Sequence, residues 1–140
     1  LFKELDATIL RLSAPIGLPL IKRLVLSRFI EFAKTNKTLE VWGSGLREQS
    51  FVDTRDIAFA ILKILKKPVS GIYNLAAPSV SMMELANSIV KVVGKGNVTK
   101  GHQSDPLEGE TARYSIEKIY NTFDWKPMTP LNDSIKWVAE

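Results

Sequence analysis

Apolar residues change their spacing repeatedly along this chain, and each change marks an element. Residues 7–13 (ATILRLS) form a short apolar run that reads as a strand, and Ala14-Pro15-Ile16-Gly17 breaks it. From Pro19 to Lys34 the apolar residues Leu20, Ile21, Leu24, Val25, Phe29 and Phe32 fall three or four apart, with Arg28 interrupting the stripe. That spacing predicts a helix. Leu39–Trp42 alternates as a strand, Gly43-Ser44-Gly45 turns, and Gln49–Val52 is extended. Asp53 or Thr54 caps a helix over 55–66, apolar enough to be well buried.

The second half continues the alternation. Pro68 and Gly71 bracket a turn, and Ile72–Ala76 is an apolar strand of the kind buried on both faces. Ser81-Met82-Met83-Glu84 is a capping box that opens a helix ending at Gly94, with Leu85, Ile89, Val92 and Val93 inward. Residues 95–113 are polar and irregular, with room for one or two short strands. A short helix over 115–123, a turn at Asp124–Pro127 and a last helix over 131–138 complete the chain. Strands alternating with helices make the class α/β.

Composition narrows the chemistry. The 140 residues are 45% hydrophobic and 24% charged, with a net charge of +4, which suits one globular domain. No cysteine is present, which excludes disulfides and thiolate chemistry, and the single histidine, His102, argues against a histidine-built metal site. No apolar run reaches the length of a membrane span, and LFKELDATILRL does not read as a signal peptide, so the expected compartment is cytoplasmic. Basic residues are dispersed among acids without a stripe, so neither nucleic acid nor membrane is expected as a partner. The chain opens on Leu1 with what reads as the tail of a helix, so the expectation is a piece of a longer polypeptide.

The order of the motifs is more specific than any one of them. ILR is followed by PxG, a helix, LxVWGSGxxxxSFVDxRDIAxAI, GIYNLAxxxxSMxELAxxI and finally SIEKIxxxFxWxP. From Ile9 to Trp137 this resembles the extended short-chain dehydrogenase/reductases, the NAD-dependent epimerase/dehydratase family. The resemblance implies the C-terminal portion of that fold: the last Rossmann strands plus a small substrate-binding subdomain, with the dinucleotide-binding half absent. It also implies NAD or NADP as cofactor, and a sugar nucleotide or related small anionic substrate. The chemistry would be reversible hydride transfer by an epimerase, dehydratase or reductase, and the assembly a homo-oligomer. A reductase of a non-nucleotide substrate, or a degenerate non-catalytic binding module, stays open beside it.

The family's phosphate-cradling GxxGxxG is not found in the chain. Tyr114 and Lys118 match the family's catalytic Tyr-x-x-x-Lys spacing. Their context, SIEK before FDWKP, instead matches a late structural helix, so no catalytic residue is assigned. In that reading Tyr114 ends a strand, Ser115 caps the helix and Lys118 is solvated.

By resemblance, Ala14, Pro15 and Ile16 border the nicotinamide, and Trp42 and Met82 wall the nucleotide pocket. Gln49 and Leu107 stand where many members carry diphosphate-binding arginines, and Leu107-Glu108-Gly109-Glu110 replaces an Arg-x-Gly-Asp stretch. Neutral side chains cannot reproduce a guanidinium fork on phosphate. Arg28, Arg47, Arg55 and Arg113 are the candidate replacements. Arg47, two residues before Gln49 on an extended segment, is the first choice.

Overall fold

The computed structural model describes residues 6–21 and 24–140. The expected leading helix tail falls mostly on residues 1–5, outside the described residues.

Twelve elements occur among the described residues: β1 (Thr8–Leu12), β2 (Ala14–Ile16), α1 (Val25–Lys34), β3 (Thr38–Val41), β4 (Glu48–Asp53), α2 (Thr54–Lys66), β5 (Gly71–Leu75), β6 (Ser79–Ser81), α3 (Met82–Val93), β7 (Asn97–Lys100), α4 (Glu117–Phe123) and α5 (Leu131–Ala139). The strands form three small sheets. β1 pairs with β5 in parallel, and β3 with β7 in parallel. β4 lies between β2, parallel to it, and β6, antiparallel to it.

Two apolar clusters fill the space between these layers. One joins α1, α3 and α5 to β3 through Leu26, Ile30, Leu39, Leu85, Ile89 and Ile135. The other gathers Val52, Ile57, Ile64, Tyr73, Leu75, Ile119, Phe123 and Trp125 around β5. The Tyr73 and Phe123 rings meet edge to face at 5.0 Å.

The caps follow the sequence closely. Ser81 Oγ accepts from the Glu84 amide at 3.1 Å, and Glu84 Oε2 accepts from the Ser81 amide at 2.7 Å. Gly94 closes α3 in the left-handed region, φ 73°, with its N–H donating to the Val90 carbonyl. Asp53 is the N-cap of α2 and accepts from the Arg55 amide at 2.8 Å. The same carboxylate accepts from the Arg55 guanidinium and, at 2.6 Å, from the Ser134 hydroxyl, which ties α5 to the start of α2.

Several expectations are corrected. Ala14–Ile16 is a strand, not a break: it leaves β1's sheet and joins β4 as an edge strand, where Pro15 costs no ladder bond in the sheet interior. α1 starts at Val25 rather than near Pro19. The Ser27 hydroxyl takes the Ile21 and Leu24 carbonyls, satisfying them in a turn before the helix, and residues 22–23 lie outside the described residues. β6 was missed because its three residues sit between Pro78 and a strong cap signal.

Neither α2 nor β5 is buried all round. Ile57, Ala60 and Ile64 face inward, whereas Phe59, Ile61, Leu62 and Leu65 are exposed, as is Ile72 on β5. Tyr114 ends no strand, and Lys118 holds its ammonium 4.7 Å from the Tyr73 ring centre. Among the described residues, no helix is long and apolar enough to cross a membrane, and no cluster of metal-ligating side chains occurs.

Candidate functional site

β3 sets the floor of one recess. Its period of two sends Leu39 and Val41 into the core at 0% and 1% exposure. Thr38, Glu40 and Trp42 are left on the opposite side, along a cavity of about 590 Å³. α1 supplies one wall through Val25, Arg28, Phe29 and Phe32, and Met82 at the start of α3 supplies another. The loop through Gln103, Asp105, Pro106 and Leu107 closes the remaining side, joined by Arg47.

Local hydrogen bonds hold these parts in register. The Met82 and Met83 amides donate to the Arg47 and Gly45 carbonyls at 3.0 and 3.1 Å, so the start of α3 is clamped to the segment entering β4. Gly45 has φ 76°, a left-handed conformation that a side-chain-bearing residue adopts only at a cost. The loop over the cavity is pinned at both ends. Gly43 N–H donates to the Gln103 carbonyl at 2.9 Å, and Glu48 N–H to the Glu110 carbonyl at 3.0 Å. Between them Glu108 accepts from the Ser44 amide at 3.0 Å and from the Ser44 hydroxyl.

The charges inside the cavity are matched. Arg47 Nε donates to Asp105 Oδ2 at 2.6 Å, and both side chains are largely buried. Asp105 Oδ1 also accepts from the Leu107 amide at 2.9 Å. Burial pushes the Asp105 carboxyl up, but the Leu107 amide and the Arg47 guanidinium outweigh it and hold the group below its ordinary value. Arg28 lies 5.7 Å from the centre of the Phe32 ring and has no ion pair among the described residues.

The other candidate bases are engaged elsewhere. Arg55 pairs with Asp53 and stacks 4.3 Å from the Trp137 ring centre. Arg113 pairs with Glu48. Neither lines the cavity.

Of the residues singled out from sequence, Trp42, Arg47, Met82 and Leu107 meet at this cavity. Gln49 and Glu110 lie outside its lining. Gln49 sits opposite Val80 in the β4–β6 ladder, and Glu110 engages Glu48 through its backbone. Arg47 precedes β4, so the expectation that it and Gln49 share one extended face does not carry over to the cavity. Asp105, Glu40 and Phe29 were not foreseen. The alternation of Thr38, Glu40 and Trp42 was a readable signal for Glu40, whereas Asp105 sits in a loop without periodicity.

Ala14, Pro15 and Ile16 lie apart from the cavity, on β2. Ile16 is fully buried, so this stretch offers a ligand its backbone and the exposed Pro15 ring. Pro15 and Gly17 border a second recess of about 90 Å³ with Leu20, Ile21, Leu24 and Leu26. The buried Ser13 hydroxyl just before β2 has no hydrogen-bond partner among the described residues. Among the described residues β2 is an edge strand, and its outer backbone groups are of the kind that suits a flat heteroaromatic amide such as nicotinamide.

Tyr114 and Lys118 do not form a helical pair, because α4 begins only at Glu117. Tyr114 is exposed.

The model of the NAD dependent epimerase/dehydratase family matches residues 2–76. The dTDP-D-glucose 4,6-dehydratase of Bos taurus is 27% identical over 125 residues, covering 83% of this chain and 35% of that protein. The UDP-glucuronic acid 4-epimerase of Bacillus cereus, solved with UDP-glucuronic acid and NAD, superposes with a TM-score of 0.74 at 19% identity, over 94% of this chain and 43% of its own. RMD of Pseudomonas aeruginosa, complexed with NADPH, gives a TM-score of 0.77 at 18% identity, over 94% and 46%. The chain thus spans less than half the length of the proteins it matches.

Proposed function

The chain belongs to the NAD-dependent epimerase/dehydratase family, and from that membership we propose that it is the substrate-binding part of an enzyme acting on a sugar nucleotide or related small anionic substrate. The observation that carries the proposal is the cavity of about 590 Å³ with the 41%-exposed Trp42 ring on its floor and Phe29, Phe32 and Met82 as apolar walls. A flat aromatic base gains most from such surfaces, while the polar groups at the rim orient the rest of the ligand.

In this reading Trp42 and Met82 hold the base, Arg28 and the Arg47 region face the phosphates, and the loop 103–107 limits access of water. The cofactor, NAD or NADP, would supply hydride acceptance and return, as it does for the family. Ala14, Pro15 and Ile16 would border its nicotinamide through their backbone. We place the proton-transferring pair in the part of the longer relatives that this chain does not span. The proposal includes a cytoplasmic setting and self-association, through the exposed apolar residues of α2 and β5. One observation favours a second reading, a reductase of a non-nucleotide substrate: the cavity carries as many carboxylates as guanidinium groups.

Isothermal titration of the chain with uridine, UDP, dTDP and UDP-glucuronic acid tests the main reading. Saturable binding that is lost in Trp42→Ala is expected. No heat of binding for any of them at millimolar concentration removes the nucleotide pocket.

A further inference from the structure

The charge arrangement in the cavity is unusual for a phosphate site. Two guanidinium groups, Arg28 and Arg47, face two carboxylates, Glu40 and Asp105. Arg47 is partly taken as it stands, because its Nε already donates to Asp105 Oδ2 at 2.6 Å. Asp105 Oδ2 offers Arg47 the same kind of partner that a phosphate would, an anionic oxygen, while Oδ1 is held by the Leu107 amide. It comes from a loop whose neighbouring contacts are to the turn at residues 43–45 and to Glu48, so it is presented without help from any ligand.

Resting on the nucleotide reading of this cavity, we propose that Asp105 is a specificity-determining residue, an intramolecular competitor for the phosphate at Arg47. A phosphate that reaches the Arg47 Nη donors lies beside the Asp105 carboxylate already held at Nε, and the two anions repel at short range. A nucleoside, or a ligand whose single anionic group reaches Arg28, enters without that conflict. A nucleoside diphosphate must displace the Asp105 carboxylate or bind beside it.

Asp105→Asn tests this with little risk to the loop, since its amide oxygen can still accept from Leu107. Asp105→Ser keeps a short acceptor there as a second variant. Uridine and UDP are the probes, titrated calorimetrically at fixed salt. Each Asp105 variant is expected to bind UDP about tenfold more tightly, in the range of one charge-assisted contact, and uridine unchanged. Arg47→Ala, which leaves Asp105 uncompensated, is expected to weaken UDP by about tenfold. The double variant Arg47→Ala/Asp105→Asn should return close to the parent. If the parent binds UDP and the Asp105 variants bind it no better, Asp105 is no competitor while the pocket reading stands. Equal tightening of uridine and UDP also overturns the proposal, because it indicates loop opening rather than charge. Failure of both ligands to bind the parent and every variant overturns the pocket reading, and this inference with it.

Discussion

Trp125 donates its indole N–H to the backbone carbonyl of Asp56 at 3.0 Å, across 69 residues of chain. The Asp56 carboxylate answers by accepting from the Met128 and Thr129 amides at 3.0 and 2.9 Å and from the Thr129 hydroxyl. The first turn of α2 and the turn after α4 are thereby locked together over the buried Trp125 ring. Truncating that ring is expected to cost about 3–5 kcal/mol in Trp125→Ala. Asp56→Ala strands two partly buried amides and should cost about 2 kcal/mol. Urea unfolding reads both as a lower midpoint, and a midpoint unchanged in either variant would show that the lock does not stabilise the fold.

Acid should destabilise the chain through three identifiable carboxyls. Burial raises the Asp53 carboxyl, but the Arg55 guanidinium, the Ser134 hydroxyl and the Arg55 amide outweigh it, and its pKa lies below the ordinary value. The Ser81 amide and hydroxyl lower Glu84, and Asp105 is lowered by Leu107 and Arg47 against its burial. Each group therefore binds its proton more readily in the unfolded chain. Their stabilisation is complete above the ordinary carboxylate range of about 4, and is lost as pH falls through the lowered native values. Unfolding free energy measured from pH 7 downward should drop in that window. Asp53→Asn should flatten the drop more than Glu84→Gln does, since Asp53 is buried and Glu84 is exposed. The same slope in Asp53→Asn and parent would exclude Asp53 as a main contributor.

The sequence exposed the caps because they are local. Ser81 and Glu84 must be three apart to exchange their hydrogen bonds, and Asp53 must precede its helix by one residue, so both are written in consecutive positions. It exposed Trp42 and Met82 through a family pattern rather than through physics. It could not expose the Arg47–Asp105 pair, whose partners are 58 residues apart and lie on irregular backbone. It also overestimated the burial of α2. An apolar composition does not say whether enough neighbouring surface exists to cover a helix all round, and among the described residues Phe59, Leu62 and Leu65 have none that does.

Two glycines near the end of α3 separate backbone strain from steric collision. Gly94, φ 73°, has open space where a Cβ would stand. Gly94→Ala should cost only the left-handed conformation, about 1–2 kcal/mol. Gly96, φ 87°, would place a Cβ 2.9 Å from the Lys37 carbonyl oxygen, so Gly96→Ala must also shift the α1–β3 turn and should cost more. Thermal unfolding of the two variants ranks them. Equal losses would mean that the turn yields freely.

Tyr114 and Lys118 should behave as structural residues. Lys118 sits over Tyr73, so Lys118→Ala is expected to cost about 0.5–1 kcal/mol of stability. Tyr114→Phe should change neither stability nor any turnover of a nucleotide sugar with NAD or NADP. Turnover abolished by Tyr114→Phe would make the pair catalytic and contradict the geometry.

Self-association is the expectation that follows from what the fold leaves uncovered. On α2, Leu62 lies three residues from both Phe59 and Leu65, and these three are 57%, 44% and 69% exposed on one face of the helix. Nearby elements add Leu12 and Ile72, each at least 40% exposed, at the β1–β5 sheet. That sheet has only two strands among the described residues, so both outer edges lack ladder partners there. Apolar faces of this kind favour association, and open strand edges are templates for another chain. A second copy of the chain offers both at once, so a dimer or larger oligomer is expected at micromolar concentration by light scattering. Leu62→Lys together with Leu65→Glu should shift the mass to a folded monomer, because neither side chain contributes to the core. A monomeric parent, with the Leu10 and Tyr73 amides protected from exchange, would show that the chain satisfies its own edges and needs no second copy.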